Sequence, residues 1–150
     1  MSNKKLERLI DFAIAEERKS AALYLEVLRR IKDKGTRTML KDMAAMEKAH
    51  ELKLKEFKSG KGPGPVPEKV PNLQLAEYMV DNKLTDNALV QDVILFAIQC
   101  EKKAHQMYSD ISKIYGSGEK KEFMAALANE ELKHKNSLER AYDDNIFQEN

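Results

Sequence analysis

The sequence predicts an all-α protein, a four-helix bundle made of two antiparallel helix hairpins. Apolar residues recur in alternating steps of three and four along four long segments, which is the period of an amphipathic helix. All four prolines and three of the six glycines fall between residues 59 and 72, so helix-breaking residues are confined to a connection. The second half of the chain also repeats the pattern of the first half, at a fixed offset of 84 residues.

Composition narrows the class of protein. A chain of 150 residues suits a single domain, 1–150, and a net charge of +1 gives no reason to expect nucleic-acid binding. The N-terminal segment lacks a signal peptide's apolar region, and the longest apolar run, 93–98, is too short to cross a bilayer. Cys100 is the only cysteine, which excludes a disulfide within the chain and a four-thiolate metal site. We therefore expect a cytoplasmic protein that binds neither nucleic acid nor membrane.

The first hairpin is predicted from helices at about 3–34 and 36–58. Gly35 is the expected C-cap of the first helix and Thr36 the expected N-cap of the second. A turn this short places the two helices side by side and antiparallel. Their inner stripes are Leu6, Ile10, Ala13, Glu17, Tyr24, Leu28 and Ile31 on the first helix, and Leu40, Met43, Glu47, His50, Leu54 and Phe57 on the second.

The connection at 59–85 is predicted to be irregular up to residue 72, with one short helix at 73–82. It is long enough to carry the chain along the bundle, so that the third helix starts at the same end as the first hairpin did. A crossover of this kind is the topology of ferritin-like bundles.

The second hairpin is predicted from helices at about 86–115 and 119–143, separated by the break at 116–118. After residue 143 the periodicity is lost, and the tail is expected to fray. Ile146 and Phe147 would pack on the outside or on a second subunit, which leaves a homodimer open. The inner stripe of the third helix is Val90, Ile94, Ala97, Glu101, Tyr108, Ile111 and Tyr115.

The repeat also carries the candidate chemistry, because each half reads Glu, six residues, Tyr, and then Glu-x-x-His with its Glu thirty residues after the first. These acidic and imidazole groups lie on apolar stripes, where unpaired carboxylates are too costly to bury. Antiparallel folding brings them to a similar depth. We therefore predict a site in which four carboxylates and two neutral imidazoles bind two divalent cations. The predicted ligands are Glu17, Glu47, His50, Glu101, Glu131 and His134.

Oxygen and nitrogen ligands without thiolate favour iron, with manganese second, over structural zinc. Six ligands shared by two ions leave coordination positions open, which suits O₂ or peroxide chemistry. Tyr24 and Tyr108 lie about two turns past Glu17 and Glu101, so their hydroxyls can reach carboxylates across the bundle. Plain core packing is the alternative for both phenols.

Four neighbouring residues are predicted to stay outside the ligand set. Glu16 and Glu130 each lie about 100° from the inner face and have no equivalent in the other half, so we interpret them as solvated or as supporting groups. His105 is the repeat equivalent of Ala21, which favours a surface or interface role over binding. Cys100 is predicted to be a small buried apolar residue.

With these pieces assembled, the chain resembles a ferritin-like di-iron protein of the rubrerythrin superfamily. The matching segments are EERKSAALY (16–24), AMEKAH (45–50), CEKKAHQMY (100–108) and NEELKH (129–134). The resemblance implies that Glu17 and Glu101 are terminal ligands, that Glu47 and Glu131 bridge two irons, and that His50 and His134 each bind one iron. It further implies reduction of hydrogen peroxide, or O₂, and a role under oxidative stress.

The chain departs from that family at two points. Ala104 stands where rubrerythrins carry a further glutamate, one turn after the third-helix ligand. A single cysteine cannot form a rubredoxin domain, so electrons would come from a separate carrier such as a rubredoxin-like protein. Two alternatives remain open: a ferroxidase that stores iron or passes it on, and a non-enzymatic helical interaction module whose inner polar residues form a salt-bridge network.

Overall fold

Four long helices form most of the chain in a computed structural model, which describes residues 4–59 and 73–148, with side chains up to residue 144. Those residues contain one further element, the short 3₁₀ helix Leu75–Tyr78, and no strand. The predicted all-α four-helix bundle is therefore confirmed. Its long helices are α1 (Lys4–Arg30), α2 (Lys34–Lys58), α3 (Val90–Ile114) and α4 (Glu119–Gln148).

The helices pack as two hairpins, with α1 along α2 and α3 along α4, and the hairpins meet where α1 contacts α3 and α2 contacts α4. Two apolar clusters fill the ends of the bundle. One joins the start of α1 to the end of α3, and the other joins the end of α1 to the start of α3. The buried glutamates and histidines lie in the middle of the bundle, between the clusters.

The turn between α1 and α2 differs from the prediction. α1 ends at Arg30, and Asp33 is the N-cap of α2, with its carboxylate accepting a hydrogen bond from the backbone N–H of Thr36 at 2.9 Å. Gly35 therefore lies in the first turn of α2, and the predicted pair of caps, Gly35 and Thr36, is wrong. A carboxylate at the cap accepts from the free N–H groups of the first turn and favours the positive end of the helix dipole.

The crossover can be followed from Tyr78 to Ala88. The hydroxyl of Tyr78 donates to Asp110 near the end of α3, at 2.7 Å, whereas the carbonyl of Ala88 accepts from Arg30 at the end of α1, also at 2.7 Å. The chain thus travels the length of the bundle between these two points. α3 consequently begins beside the end of α1 and runs antiparallel to it. The prediction that α3 starts at the same end as the first hairpin is wrong, because a full-length crossover makes α2 and α3 parallel.

Three other boundaries differ from the predicted ones. The short helix is a single 3₁₀ turn rather than a helix over 73–82, and α3 begins at Val90, not at residue 86. The break before α4 is where it was predicted, at Gly118, whose φ of 101° suits glycine because a side chain would be strained there. α4 continues to Gln148, so the expected fraying after residue 143 is wrong for that stretch of backbone.

Two predictions lie outside the described part of the chain. They are the irregular connection at 60–72 and the packing of the Ile146 and Phe147 side chains. Within residues 4–59 and 73–148, no helix combines the length and apolar character that crossing a bilayer requires.

Candidate metal centre

The six predicted ligand side chains meet in the middle of the bundle, between the two apolar clusters. Each is buried, and none exposes more than 4% of its surface. Their helical spacing explains this, since a Glu and a His three residues apart share one face of α2, and the equivalent pair shares one face of α4. The six are Glu17 on α1, Glu47 and His50 on α2, Glu101 on α3, and Glu131 and His134 on α4.

These side chains form two overlapping groups, in each of which one ligand atom per residue lies within 4.8 Å of the others. Glu47 and Glu131 belong to both groups. The His50 position consists of Glu17, Glu47, His50 and Glu131, and the His134 position consists of Glu47, Glu101, Glu131 and His134. The arrangement can hold two metal ions that share two carboxylates.

Both imidazoles turn Nδ1 towards the carboxylates. Nδ1 of His50 lies 3.0 Å from Glu131 Oε1 and 3.5 Å from Glu17 Oε2. Nδ1 of His134 lies 2.7 Å from Glu47 Oε1 and 3.7 Å from Glu131 Oε2. The two rings are stacked with their centroids 6.2 Å apart. Nδ1 is therefore the nitrogen that each histidine would offer to an ion.

Several buried oxygen atoms of the cluster have no hydrogen-bond partner in the described part of the chain and are free to bind a metal ion. One carboxylate oxygen each of Glu17, Glu101 and Glu131 is buried and has no hydrogen-bond partner among the described residues. An unpartnered buried carboxylate oxygen is costly, and protein interiors rarely keep one. Two divalent cations would satisfy these oxygens and balance the four carboxylates, so the residues present fit a pair of ions.

Burial dominates the acidity of the carboxyls. It raises the pKa of Glu47 and of Glu101 well above the usual range, and repulsion from Glu131 raises both pKa values further. Burial also raises the pKa of Glu131, to about 7. Glu17 differs, because hydrogen bonds with Glu47 and His50 outweigh its burial and lower its pKa. The structure thus concentrates carboxyls that need a cation, or a proton, to be stable.

The two histidines have opposite acid–base behaviour. Burial lowers the pKa of His50, but its hydrogen bonds with Glu131 and Glu17 outweigh burial and raise that pKa to about 11. For His134 burial prevails and lowers the pKa below the usual value. The raised pKa of His50 comes from the same carboxylates that an ion would bind, so an ion there would take the place of a proton.

The two tyrosines reach across the bundle as the sequence predicts. The hydroxyl of Tyr108 on α3 donates to Glu17 on α1 at 2.6 Å, and that of Tyr24 on α1 donates to Glu101 on α3. Both side chains are buried, and burial together with the neighbouring carboxylates raises the pKa of both phenols well above the usual value. They are therefore neutral donors that hold one oxygen of each acceptor carboxylate.

Glu130 contributes a contact that the sequence reasoning left undecided. Its carboxylate accepts a hydrogen bond from Nε2 of His50, the nitrogen that faces away from the cluster, and its side chain is 34% exposed. Glu130 is thus a supporting group for His50 that remains partly exposed to solvent. The repeat hid this role, because the equivalent residue in the first half is Met46.

The other three neighbours stay outside the cluster. Glu16 lies 3.5 Å from Lys19, and Cys100 is half-buried, with burial and the carboxylates of Glu16 and Glu101 raising the pKa of its thiol to about 12. His105 is half-buried between α3 and α4, where its Nδ1–H donates to the carbonyl of Ala128 at 2.8 Å. His105 thus contacts the backbone of α4 and takes no part in the ligand cluster, and its predicted surface or interface role stays a prediction.

A small cavity of about 20 Å³ reaches the cluster from the side where α1 meets α3. Its wall includes Glu17, Glu47 and Glu131, and Ala104 contributes a short side chain to the same wall. The volume suits one water-sized molecule. A larger groove of about 230 Å³ shares wall residues with it and lies nearer the surface, and the shared residues are Glu16, Ser20, Val80 and Cys100. The cavity and the groove are therefore neighbours, and the cavity borders three carboxylates of the cluster.

Comparisons with known proteins support the fold and give no information on the chemistry of the site. No protein-family model and no curated protein matches the chain. A solved structure, the hypothetical protein Pfu-1136390-001 from Pyrococcus furiosus, is similar to it at 28% sequence identity and a TM-score of 0.70. The match covers 92% of this chain and 88% of that one. The chain is thus similar over nearly its whole length to a protein whose name states no activity.

Proposed function

We propose that this protein is a rubrerythrin-like di-iron oxidoreductase that reduces hydrogen peroxide, or O₂, to water with electrons from a separate carrier. The observation that carries the proposal is the pair of overlapping ligand groups, which share Glu47 and Glu131 inside the bundle. Two ferrous ions held there would supply the two electrons that reduction of one peroxide to two waters consumes. The remaining requirements, two protons and a path for peroxide, fall to the protein.

The donor set supports iron, with manganese as the second choice. Each position offers three carboxylates and one imidazole, and no thiolate is present in either. Hard oxygen donors with one imidazole suit iron and manganese, whereas structural zinc favours tetrahedral sites that contain cysteine. A small neutral oxidant also suits the cavity of about 20 Å³, which would exclude a larger substrate.

The chain's own residues have three tasks in this proposal. The carboxylates neutralise and hold the ions, and the apolar clusters on either side exclude water from them. Tyr24 and Tyr108 keep Glu101 and Glu17 in one orientation, since each hydroxyl donates to one carboxylate oxygen and leaves the other without a hydrogen-bond partner among the described residues. The same hydroxyls are buried O–H groups beside the ligands, and they are the residues proposed to donate a proton.

The test is to load the protein with Fe(II) under anaerobic conditions, count the iron, and mix it rapidly with peroxide or with O₂ while recording visible absorption. We expect two irons per chain, faster oxidation by peroxide than by O₂, and turnover when a reductant is added. Glu17→Ala should abolish turnover. Glu26→Ala, an exposed substitution on the same helix, should leave it unchanged. If peroxide oxidises the di-ferrous protein no faster than O₂ does, and no turnover follows when a reductant is added, peroxide reduction would be contradicted.

Iron handling by a ferroxidase is the second candidate. It uses the same two overlapping ligand groups, which would bind and oxidise iron as a substrate. Storage needs a cage of many subunits, so a monomer or dimer in size-exclusion chromatography would contradict the storage version.

The interaction module is disfavoured by the unpartnered carboxylate oxygens, which a self-sufficient salt-bridge network would not leave. It predicts that chelation leaves stability unchanged. The metal proposal instead predicts a lower melting temperature after chelation. An ion whose free concentration is about 100 times its Kd stabilises the fold by about 2.7 kcal/mol, and chelation removes this contribution.

A further inference from the structure

The two metal positions differ in what holds the far side of each histidine. Nε2 of His50 donates to the carboxylate of Glu130, which reaches it from α4. Nε2 of His134 is buried and has no hydrogen-bond partner within residues 4–59 and 73–148. Both histidines turn Nδ1 inward, so the difference lies outside the ligand set itself.

This difference between the two histidines corresponds to a difference in sequence at one pair of equivalent positions. The 84-residue offset that maps His50 onto His134 also maps Met46 onto Glu130. Met46 is 37% exposed, and its thioether is at most a weak hydrogen-bond acceptor. The first half of the chain therefore carries no carboxylate at the place from which the second half supports His50.

A carboxylate on the outer nitrogen of a ligating imidazole has a defined physical effect. It fixes the tautomer with the proton on Nε2, so that the Nδ1 lone pair faces the ion, and it fixes the plane of the ring. It also makes the imidazole a better electron donor. Loss of such a partner typically weakens metal binding by about 10- to 100-fold. His50, whose Nδ1 lies 3.0 Å from Glu131 and 3.5 Å from Glu17, is held in this way, and His134 is not.

We propose that the two metal positions are inequivalent and fill in order, the His50 position first, and that Glu130 is the positioning residue that sets this order. The inference rests on the part of the proposed function that assigns two ions to the cluster, not on the reaction. A second observation agrees with it: the cavity from the α1–α3 side is lined by all three carboxylates of the His50 position, Glu17, Glu47 and Glu131.

The experiment titrates the full-length, metal-free protein with Co(II) in competition with a chromophoric chelator, and follows the visible bands of bound Co(II). We expect two steps, the first at least about tenfold tighter than the second. Glu130→Met, which copies the other half, should weaken the first step by about 10- to 100-fold and change the second less than about threefold. Glu130→Gln keeps an oxygen acceptor without its charge and should fall between Glu130→Met and the unaltered protein.

The reverse substitution gives an independent test. Met46→Glu supplies the acceptor that His134 lacks, at an exposed position where folding should not suffer, and should tighten the second step by about tenfold. Glu139→Gln on α4, with a 47% exposed side chain paired to Lys135, is the matched control and should change neither step.

The outcomes separate the two proposals. Equal affinity for both ions in the unaltered protein, or equal weakening of both steps by Glu130→Met, would overturn the inference. An unchanged second step in Met46→Glu would overturn the assignment of the difference to this pair of positions. Two resolved steps in a protein whose iron form ignores peroxide and O₂ would leave the inference standing and contradict the proposed reaction. Failure to bind Co(II) would contradict both.

Discussion

The hairpin α1–α2 and the hairpin α3–α4 carry the same acidic, phenolic and imidazole groups at the same spacing, yet they are unlike immediately beside those groups. Where the first hairpin has Met46, Glu16 and Ala21, the second has Glu130, Cys100 and His105. All the residues whose side chains meet at the centre repeat at the offset of 84. The residues that differ contact a histidine, line the cavity or bind a neighbouring carbonyl. The two hairpins are thus alike within the ligand cluster and differ in the residues immediately around it.

The largest effect should come from the two carboxylates that the positions share. Because Glu47 and Glu131 each belong to both groups, Glu47→Ala and Glu131→Ala should each reduce the iron retained after desalting from two ions per chain to one or none. The equivalence of the halves predicts the same result for both. Elemental analysis measures it, with Glu26→Ala as the control. Retention of two ions by either variant would remove the basis for shared carboxylates.

A pH series distinguishes the two histidines. Protons on Glu131, with a pKa of about 7, and on His50, with a pKa of about 11, compete with the metal, whereas His134 has a lowered pKa. Raising the pH removes these competing protons, so affinity should rise with pH by up to about tenfold per unit for each displaced proton. The rise should be steeper for the His50 position.

Calorimetric titrations between pH 6 and 8, in buffers of different ionisation enthalpy, would count the protons released by each ion. A constant affinity across this range, with no proton release, would contradict the acid–base behaviour described for His50 and Glu131.

The tyrosines test whether the halves are energetically equal. Tyr24→Phe and Tyr108→Phe each leave a buried carboxylate without its donor, so each should lower the free energy of unfolding by about 1–3 kcal/mol. Urea unfolding of the metal-free protein measures both. A difference of more than about 1 kcal/mol between the two variants would show that the repeat does not extend to this layer.

The smallest effect concerns the cavity. Ala104→Leu adds bulk to the cavity wall and should slow oxidation of the di-ferrous protein by peroxide several-fold, with both irons retained. Ser20→Leu, its repeat equivalent on the facing helix, should act in the same direction because Ser20 lines the same cavity. Stopped-flow rates and iron counts together distinguish a blocked path from a damaged site. Unchanged rates in both variants would show that the oxidant enters elsewhere.

The ligand set could be predicted from sequence because its signal is periodic and duplicated. Glu47 and His50 lie on an apolar stripe, and the same pair recurs as Glu131 and His134, so burial and convergence both follow from helical geometry. Glu130 could not be placed in the same way. Its contact with His50 depends on how α4 crosses α2, which no local pattern records.

The errors in the connections have equally physical causes. Asp33 prevails over Thr36 as the N-cap of α2 because its carboxylate satisfies the first turn of the helix from a position three residues earlier. The direction of α3 follows from the path of the crossover between Tyr78 and Ala88, a property of the tertiary structure.

Around the cluster, the hydrogen bonds of the phenols and imidazoles join one hairpin to the other: Tyr24 to Glu101, Tyr108 to Glu17, His50 to Glu131 and His134 to Glu47. A hairpin on its own would present half of the ligands, whereas two identical copies of one hairpin could supply a full set. Capture of the ions should therefore strengthen the docking of the halves, which the two apolar clusters also hold together. Metal loss should first loosen the contact between the hairpins, while each keeps its own helix-to-helix packing.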